Sequence, residues 1–281
     1  MSTVSPLAEI AVITAVCVAS GALGSLLGLG GGTFIVPILT LAFGLDVRLA
    51  IGASVISVVA GSAAASPRYL DEGFANLRVA VTLEVATVIG AVIGALLAGH
   101  LGTHVLYTIF GVVLAFSAIQ MLRTRRDATT DALAVPGDRL ADVLTLHGDV
   151  ANGSERRAYR VTRTATGLTM MTAAGTVSGL LGIGSGAMKV PAMDLAMRLP
   201  LKVSTATSSL MIGVTGAASA VVYLQRGDVV PALAGAVAIG TVVGARLGSR
   251  LLSVVPVATL RLVFLAVLLV ISVQMLLRGL A

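Results

Sequence analysis

The sequence predicts an all-α polytopic membrane protein built from two inverted repeats of about five hydrophobic segments each. Three observations predict it. Of the 281 residues, 57% are hydrophobic and 11% charged, and the mean hydropathy is +1.01, far from the profile of a water-soluble domain. Apolar stretches of roughly 20 residues recur, long enough to cross ~30 Å of hydrocarbon as helices, and the alternating pattern of an outer-membrane barrel is missing. Finally, an offset of 154 residues (182 − 28) carries the first half onto the second without a gap. Gly28, Gly30, Gly32 and Pro37 of GLGGGTFIVPIL recur as Gly182, Gly184, Gly186 and Pro191 of GIGSGAMKVPAM. The register also pairs Ser54 with Ser208, Tyr69 with Tyr223, Gly90 with Gly244, Gly94 with Gly248 and Gln120 with Gln274. That is an internal duplication.

The segments of the first repeat fall at about 7–27, 33–44, 47–69, 77–99 and 104–123, and those of the second at 162–181, 187–198, 201–224, 231–252 and 257–278. The opening stretch has no basic leader, carries Glu9 and runs into the duplicated motif, so it reads as structure and not as a secretory signal. The second segment is too short to span alone at ~1.5 Å per residue. Segments one and two therefore form a glycine-broken, re-entrant hairpin in each repeat.

Residues 1–123 and 162–281 are the two transmembrane repeats, and 124–161 is the linker between them. The linker is rich in arginine, from Arg125 and Arg126 to Arg156 and Arg157, which places it in the cytoplasm. Much of the formal net charge of +6 is explained by this topology and calls for no nucleic-acid partner. Two β-prone runs, about 142–147 and 157–163, flank an Asn152-Gly153 turn signal and predict a small cytoplasmic β-hairpin. Cys17 is the single cysteine, which excludes an internal disulfide; it is expected to pack as a small apolar residue.

Glycine runs let the backbone bend and present its N–H groups, and a helix starting just after them adds its positive dipole end. Gly28, Gly30, Gly31, Gly32 and Thr33, with Gly182, Gly184, Ser185 and Gly186, are thus a candidate anion cradle. Pro37 and Pro191 are expected in the early turns of the short helices, where a missing N–H costs little. Broken helices at matching positions of two halves point to a transporter's substrate site. Close helix packing is the competing explanation of glycine patterns, and it fits Gly90, Gly94, Gly244 and Gly248 best.

The third segments supply hydroxyls. Ser54 and Ser57 share one helical face with Ala50 and Gly61, and the matching face of the second repeat carries Ser204, Ser208, Met211 and Thr215. Each hydroxyl could equally return a hydrogen bond to its own helix. Lys189 stands where the first repeat has Ile35, so one cation faces one half of the site. It reads as an anion counter-charge, with snorkelling to the interface as the alternative. Glu84 and Asp194 are candidate proton carriers, and Asp194 could instead pair with Arg198 at i+4. Arg246 lies nearer a helix end and reads as a snorkelling side chain. His100, His104 and His147 fall in or beside loops and form no metal motif. The sequence offers no nucleophile–base pair and no cofactor fingerprint, so no enzyme activity, metal or cofactor is expected.

The paired GLGGGTFIVPIL and GIGSGAMKVPAM motifs, each followed by a Ser- or Thr-rich helix, resemble the sulfite exporter TauE/SafE family, also called the 4-toluene sulfonate uptake permease family. The resemblance covers nearly the whole chain, including LHGDVANGSERRAYRVT in the linker, which looks like the strand-turn-strand often found there. It implies a multi-pass protein of the bacterial inner membrane that moves sulfite, sulfoacetate or similar organosulfonates, usually outward. The family motif falls on Gly28, Gly30, Gly31, Gly32 and Pro37 and on Gly182, Gly184, Gly186 and Pro191. The second copy departs at Ser185, which gains a hydroxyl donor where the first has Gly31. An anion channel and a membrane sensor or scaffold remain as alternatives, and a homo-oligomer is left open.

Overall fold

The computed structural model describes residues 6–26, 30–123, 138–152, 155–184, 186–251 and 257–280. Among them the first repeat contributes α1 (Pro6–Leu26), α2 (Gly32–Leu41), α3 (Val47–Asp71), α4 (Leu77–Ala98) and α5 (Thr103–Arg123). The linker contributes α6 (Arg139–Val143), β1 (Gly148–Asn152) and β2 (Glu155–Tyr159). The second repeat adds α7 (Thr164–Leu181), α8 (Gly186–Pro191) continued by a π turn at Ala192–Ala196, α9 (Leu201–Gln225), α10 (Pro231–Leu251) and α11 (Val257–Leu280). Within α1, α3, α4, α9 and α10 lie 5 stretches long and apolar enough to cross a membrane. The protein is a multi-pass integral membrane protein.

Local chemistry sets several boundaries. The Asp46 carboxylate caps α3 by accepting from the Arg48 amide at 2.8 Å, and the Asn76 side chain caps α4 by accepting from the Val79 amide at 3.1 Å. On α4, Leu77, Val81, Val85, Ile89 and Ile93 form an exposed apolar stripe at four-residue spacing, the face that such a helix turns to lipid.

The close contacts between helices give their relative directions. A methyl group on Gly90 would meet the Thr172 carbonyl of α7 and one on Gly94 the Thr176 carbonyl, so α4 and α7 run the same way. Likewise Gly244 and Gly248 of α10 press on the Val18 and Ala22 carbonyls of α1. Gly52 and Gly61 of α3 approach Asp228 and Thr241, which aligns α3 with α10. Asn76 bonds Thr207 and Glu84 bonds Thr215, which aligns α4 with α9. In contrast, the Ser62 hydroxyl reaches the Ser209 carbonyl while Val59 lies at Gly216, so α3 and α9 cross in opposite senses. It follows that α1, α3 and α10 point one way and α4, α7 and α9 the other, each helix opposed to its counterpart in the other repeat. A matched pair of hydrogen bonds marks the relation: Tyr69 Oη donates to the Ser25 carbonyl at 2.8 Å, and Tyr223 Oη to the Gly179 carbonyl at 2.7 Å.

Two expectations need correction. The strands of the hairpin occupy 148–152 and 155–159, antiparallel from Gly148 with Tyr159 to Asn152 with Glu155, and not 142–147 and 157–163. The chain at 139–143 is instead helical, because Asp138 accepts from the Leu140 amide and supplies its N-cap. Of the Asn152-Gly153 turn signal, Asn152 is the last residue of β1 and Gly153 lies outside the described residues. Pro37 is not in the first turn of its helix: α2 starts at Gly32, so the proline lies inside it and leaves the Thr33 carbonyl without an i+4 amide. In the second copy the chain after Pro191 widens into the π turn.

The linker does not hang free of the bundle. Leu146, Tyr159 and Val161 are buried in one cluster with Val79 of α4, Met171 of α7 and Met197 and Leu199 beyond the π turn. Asn76 donates to the Leu146 carbonyl at 2.9 Å and lies 2.7 Å from Tyr159 Oη, and the Thr162 amide donates to the Met197 carbonyl at 3.1 Å.

Candidate functional site

The two glycine motifs meet at the centre of the bundle. Gly30, Gly31, Gly182 and Gly184 take φ values of 73°, 61°, 66° and 76°, a left-handed conformation that side chains resist and glycine adopts freely. A methyl group on Gly30 would strike Ile212 and touch Val58, and one on Gly184 would strike both; these two side chains are themselves related by the 154-residue offset. One on Gly32 would meet Ser54 Oγ at 2.8 Å and the Gly182 carbonyl at 2.9 Å. Ser54 Oγ donates to the Gly182 carbonyl at 2.8 Å and lies 3.4 Å from the Gly32 carbonyl. This one hydroxyl therefore ties the second glycine motif to the first.

Several loop amides are already engaged. The Gly32 amide donates to the Gly30 carbonyl at 2.5 Å and the Phe34 amide to the Gly31 carbonyl at 3.0 Å. The hydroxyls Thr33 Oγ1, in the first turn of α2, and Ser204 Oγ, in the first turn of α9, are buried without a hydrogen-bond partner. Ser57 instead donates to the Ser54 carbonyl of its own helix at 2.7 Å, the ordinary behaviour of a helical serine. Ser208 is buried on the matching face of α9, and Gly186 is buried at the start of α8. Gly28 and Ser185 lie outside the described residues.

The charged residues come together more closely than their sequence positions suggest. Lys189 Nζ donates to Thr215 Oγ1 at 2.6 Å, Thr215 Oγ1 lies 2.6 Å from Glu84 Oε1, and Lys189 Nζ lies 3.8 Å from Glu84 Oε2. Thr215 stands three residues beyond Ile212 on α9, about one helical turn, so this cluster borders the glycine junction. The lysine does not snorkel: its side chain is 0% exposed and that of Glu84 12%. Glu84 Oε2 accepts no hydrogen bond. Asp194 is buried in the π turn, and Arg246 is exposed on α10.

The sequence pointed to Lys189, Thr215 and Glu84 separately and missed that they form one group. The signal was present in the duplication. Their counterparts are Ile35, Gly61 and Ala238, so three polar departures from the repeat, on three helices, converge at one point. The pairing of Val58 with Ile212 was also missed, since both look like ordinary core residues. No group of three or more His, Cys, Asp and Glu able to hold a metal occurs among the described residues. A groove of about 290 Å³ lies away from the glycine centre, where the linker meets the α3–α4 turn, lined by Asn76, Arg78, His147, Asp149 and Tyr159.

Comparison with known proteins fits this architecture to a family. The sequence profile described as "Sulfite exporter TauE/SafE" matches residues 13–275. The chain belongs to the sulfite exporter TauE/SafE family. Like other members of that membrane-transporter family, this TauE/SafE protein has curated relatives named as transporters. It is 24% identical over 268 residues to the "Probable membrane transporter protein YunE" of Bacillus subtilis, covering 92% of this chain and 94% of the relative. A "Probable membrane transporter protein" of Xylella fastidiosa is 26% identical over 227 residues, 80% of this chain and 78% of the relative. One of Methanocaldococcus jannaschii is 26% identical over 210 residues, covering 73% and 68%. No solved structure matches.

Proposed function

We propose that this TauE/SafE protein is an inverted-repeat secondary transporter that moves small sulfur-containing anions, sulfite, sulfoacetate or related organosulfonates, out across a bacterial inner membrane by alternating access. The observation that carries the reading is the junction at Ser54, where one hydroxyl from α3 bonds the glycine motif of the second repeat beside that of the first. A carrier needs its two halves to share one site that either can close. The opposed directions of corresponding helices supply the two halves, and Val58 with Ile212 fills the space between the loops.

On this reading the substrate oxygens take hydrogen bonds from Thr33, Ser54, Ser204, Ser208 and the loop amides once the halves part. Lys189 supplies the counter-charge, drawn from the cluster one turn away. An anion moving alone would leave an electrically negative cytoplasm downhill by ~2.3 kcal/mol per charge per 100 mV, whereas an anion accompanied by a proton moves with no voltage term and follows the anion and pH gradients. A scaffold displaying the hairpin gains little support, because Tyr159 of the hairpin is packed into the bundle's own core.

The test is a flux panel in proteoliposomes. Labelled sulfite and sulfoacetate should enter, while a neutral sugar and a small cation should not, and Lys189→Ala and Gly32→Leu should each lower anion flux at least tenfold. Absence of any sulfur-oxyanion flux from correctly folded wild-type protein overturns the substrate class.

A further inference from the structure

Resting on that reading, we infer that Glu84 is the resident anion of Lys189, that a transported monoanion takes its place, and that one proton therefore travels with each anion. The warrant is charge balance in a buried site. Lys189 and Glu84 together are neutral, and both are held out of water between α8, α4 and α9. A monoanion entering beside an ionised pair leaves a net charge of about −1 in a low-dielectric centre, the arrangement that membrane interiors penalise most. Protonating Glu84 restores neutrality: the lysine then faces the substrate and the carboxylic acid keeps its hydrogen bond to Thr215.

The geometry suits this exchange. Thr215 Oγ1 sits between the two groups, 2.6 Å from each, so it can accept from the lysine and can either donate to the carboxylate or accept from its protonated form. Glu84 Oε2 has no hydrogen-bond donor, and its lone pair is the vacant proton position. Other ionisable groups are placed differently. The facing helix α7 carries none. On α9, Lys202 lies over the Phe74 ring and Tyr223 Oη is bonded to the Gly179 carbonyl. Arg78 of α4 donates to the Thr145 carbonyl in the linker, and Asp194 belongs to the π turn after α8. The pair has no counterpart in the other repeat, where Ile35 and Ala238 fill the matching positions.

The experiment uses full-length protein in proteoliposomes with labelled methanesulfonate, a monoanion that does not titrate in the working range, so any pH dependence belongs to the protein. A trapped pH dye reads proton movement, and a potassium diffusion potential sets the voltage. The expected wild-type result is methanesulfonate flux that is driven by a pH gradient, carries about one proton per anion and ignores the voltage. Glu84→Gln, a stand-in for the protonated acid, should lose the proton signal and make the methanesulfonate flux it carries voltage-driven. The double variant Glu84→Gln, Lys189→Met should lose methanesulfonate flux at least tenfold. Wild-type methanesulfonate flux that follows voltage and moves no protons overturns the inference and leaves the transporter reading standing. Absence of wild-type flux for methanesulfonate and sulfite alike overturns both.

Discussion

Lys189 Nζ lies 3.8 Å from Glu84 Oε2, with Thr215 Oγ1 2.6 Å from the ammonium and from the other carboxylate oxygen. Removing one partner of a buried pair leaves an uncompensated charge, at a cost of about 3–5 kcal/mol, whereas replacing both by apolar groups of similar size is close to neutral. Lys189→Met and Glu84→Leu should each lower the thermal midpoint in detergent sharply. The double variant should recover most of the loss. Additive losses would show that the two side chains do not act as a pair.

The hydrogen bonds of Tyr69 and Tyr223 are copies of one device, each hydroxyl holding the last turns of the first helix of its own repeat just before the glycine motif. Deleting a buried hydroxyl strands the carbonyl it served and costs roughly 1–3 kcal/mol. Tyr69→Phe and Tyr223→Phe should therefore lower the thermal midpoint by similar amounts. A large effect from one and none from the other would contradict the matched roles.

Asp138 accepts from the Thr164 amide at 2.7 Å and from the Leu140 amide at 3.3 Å, and these bonds, the Thr164 one above all, hold its carboxyl below its ordinary value of 3.8. The sign follows: a depressed folded-state value stabilises this capping arrangement above 3.8, and the contribution is lost as pH falls through the lower folded value. The protection factor of the Thr164 amide, its exchange rate taken relative to the intrinsic rate at each pH, should fall on acidification in the wild type and show no such transition in Asp138→Asn.

The opposed directions of α3 and α9 predict that their first turns open on opposite sides of the membrane. In a background where the buried Cys17 is replaced by serine, cysteines at Asp46 and Pro200 should react with an impermeant maleimide from opposite faces. Reaction from one face only would rule out the inverted arrangement.

Much of this architecture was legible in the sequence because membrane helices must be apolar over a fixed length and a duplication repeats its punctuation. Helix α4 ends at Ala98 against an expected 99, and α9 at Gln225 against 224. The linker was read less well. Its strands at 148–152 and 155–159 hold Asp149, Glu155 and Arg157, which carry no strand pattern, and the pairing depends on a tyrosine packed under α4 and α7. Tertiary contact overrode propensity there. At the site, Gly30, Gly32, Gly182 and Ser54 could be named because glycine and serine are conspicuous in an apolar chain. The engagement of the Gly32 amide could not, since its bond to the Gly30 carbonyl depends on which backbone turn the glycines choose. Nor could the meeting of Lys189 with Glu84, which depends on α8 and α4 both packing against α9.

The central claim is that two glycine motifs joined at Ser54 form one site exposed to either side in turn, and counterflow tests it most directly. Proteoliposomes loaded with unlabelled sulfite should transiently accumulate labelled sulfite above equilibrium, with saturation. Ser54→Ala, which removes one buried hydrogen bond of about 1 kcal/mol, should change that exchange several-fold without abolishing it. Labelled sulfite that equilibrates without overshoot, unsaturated and unaffected by Ser54→Ala, would contradict the account and describe a channel instead.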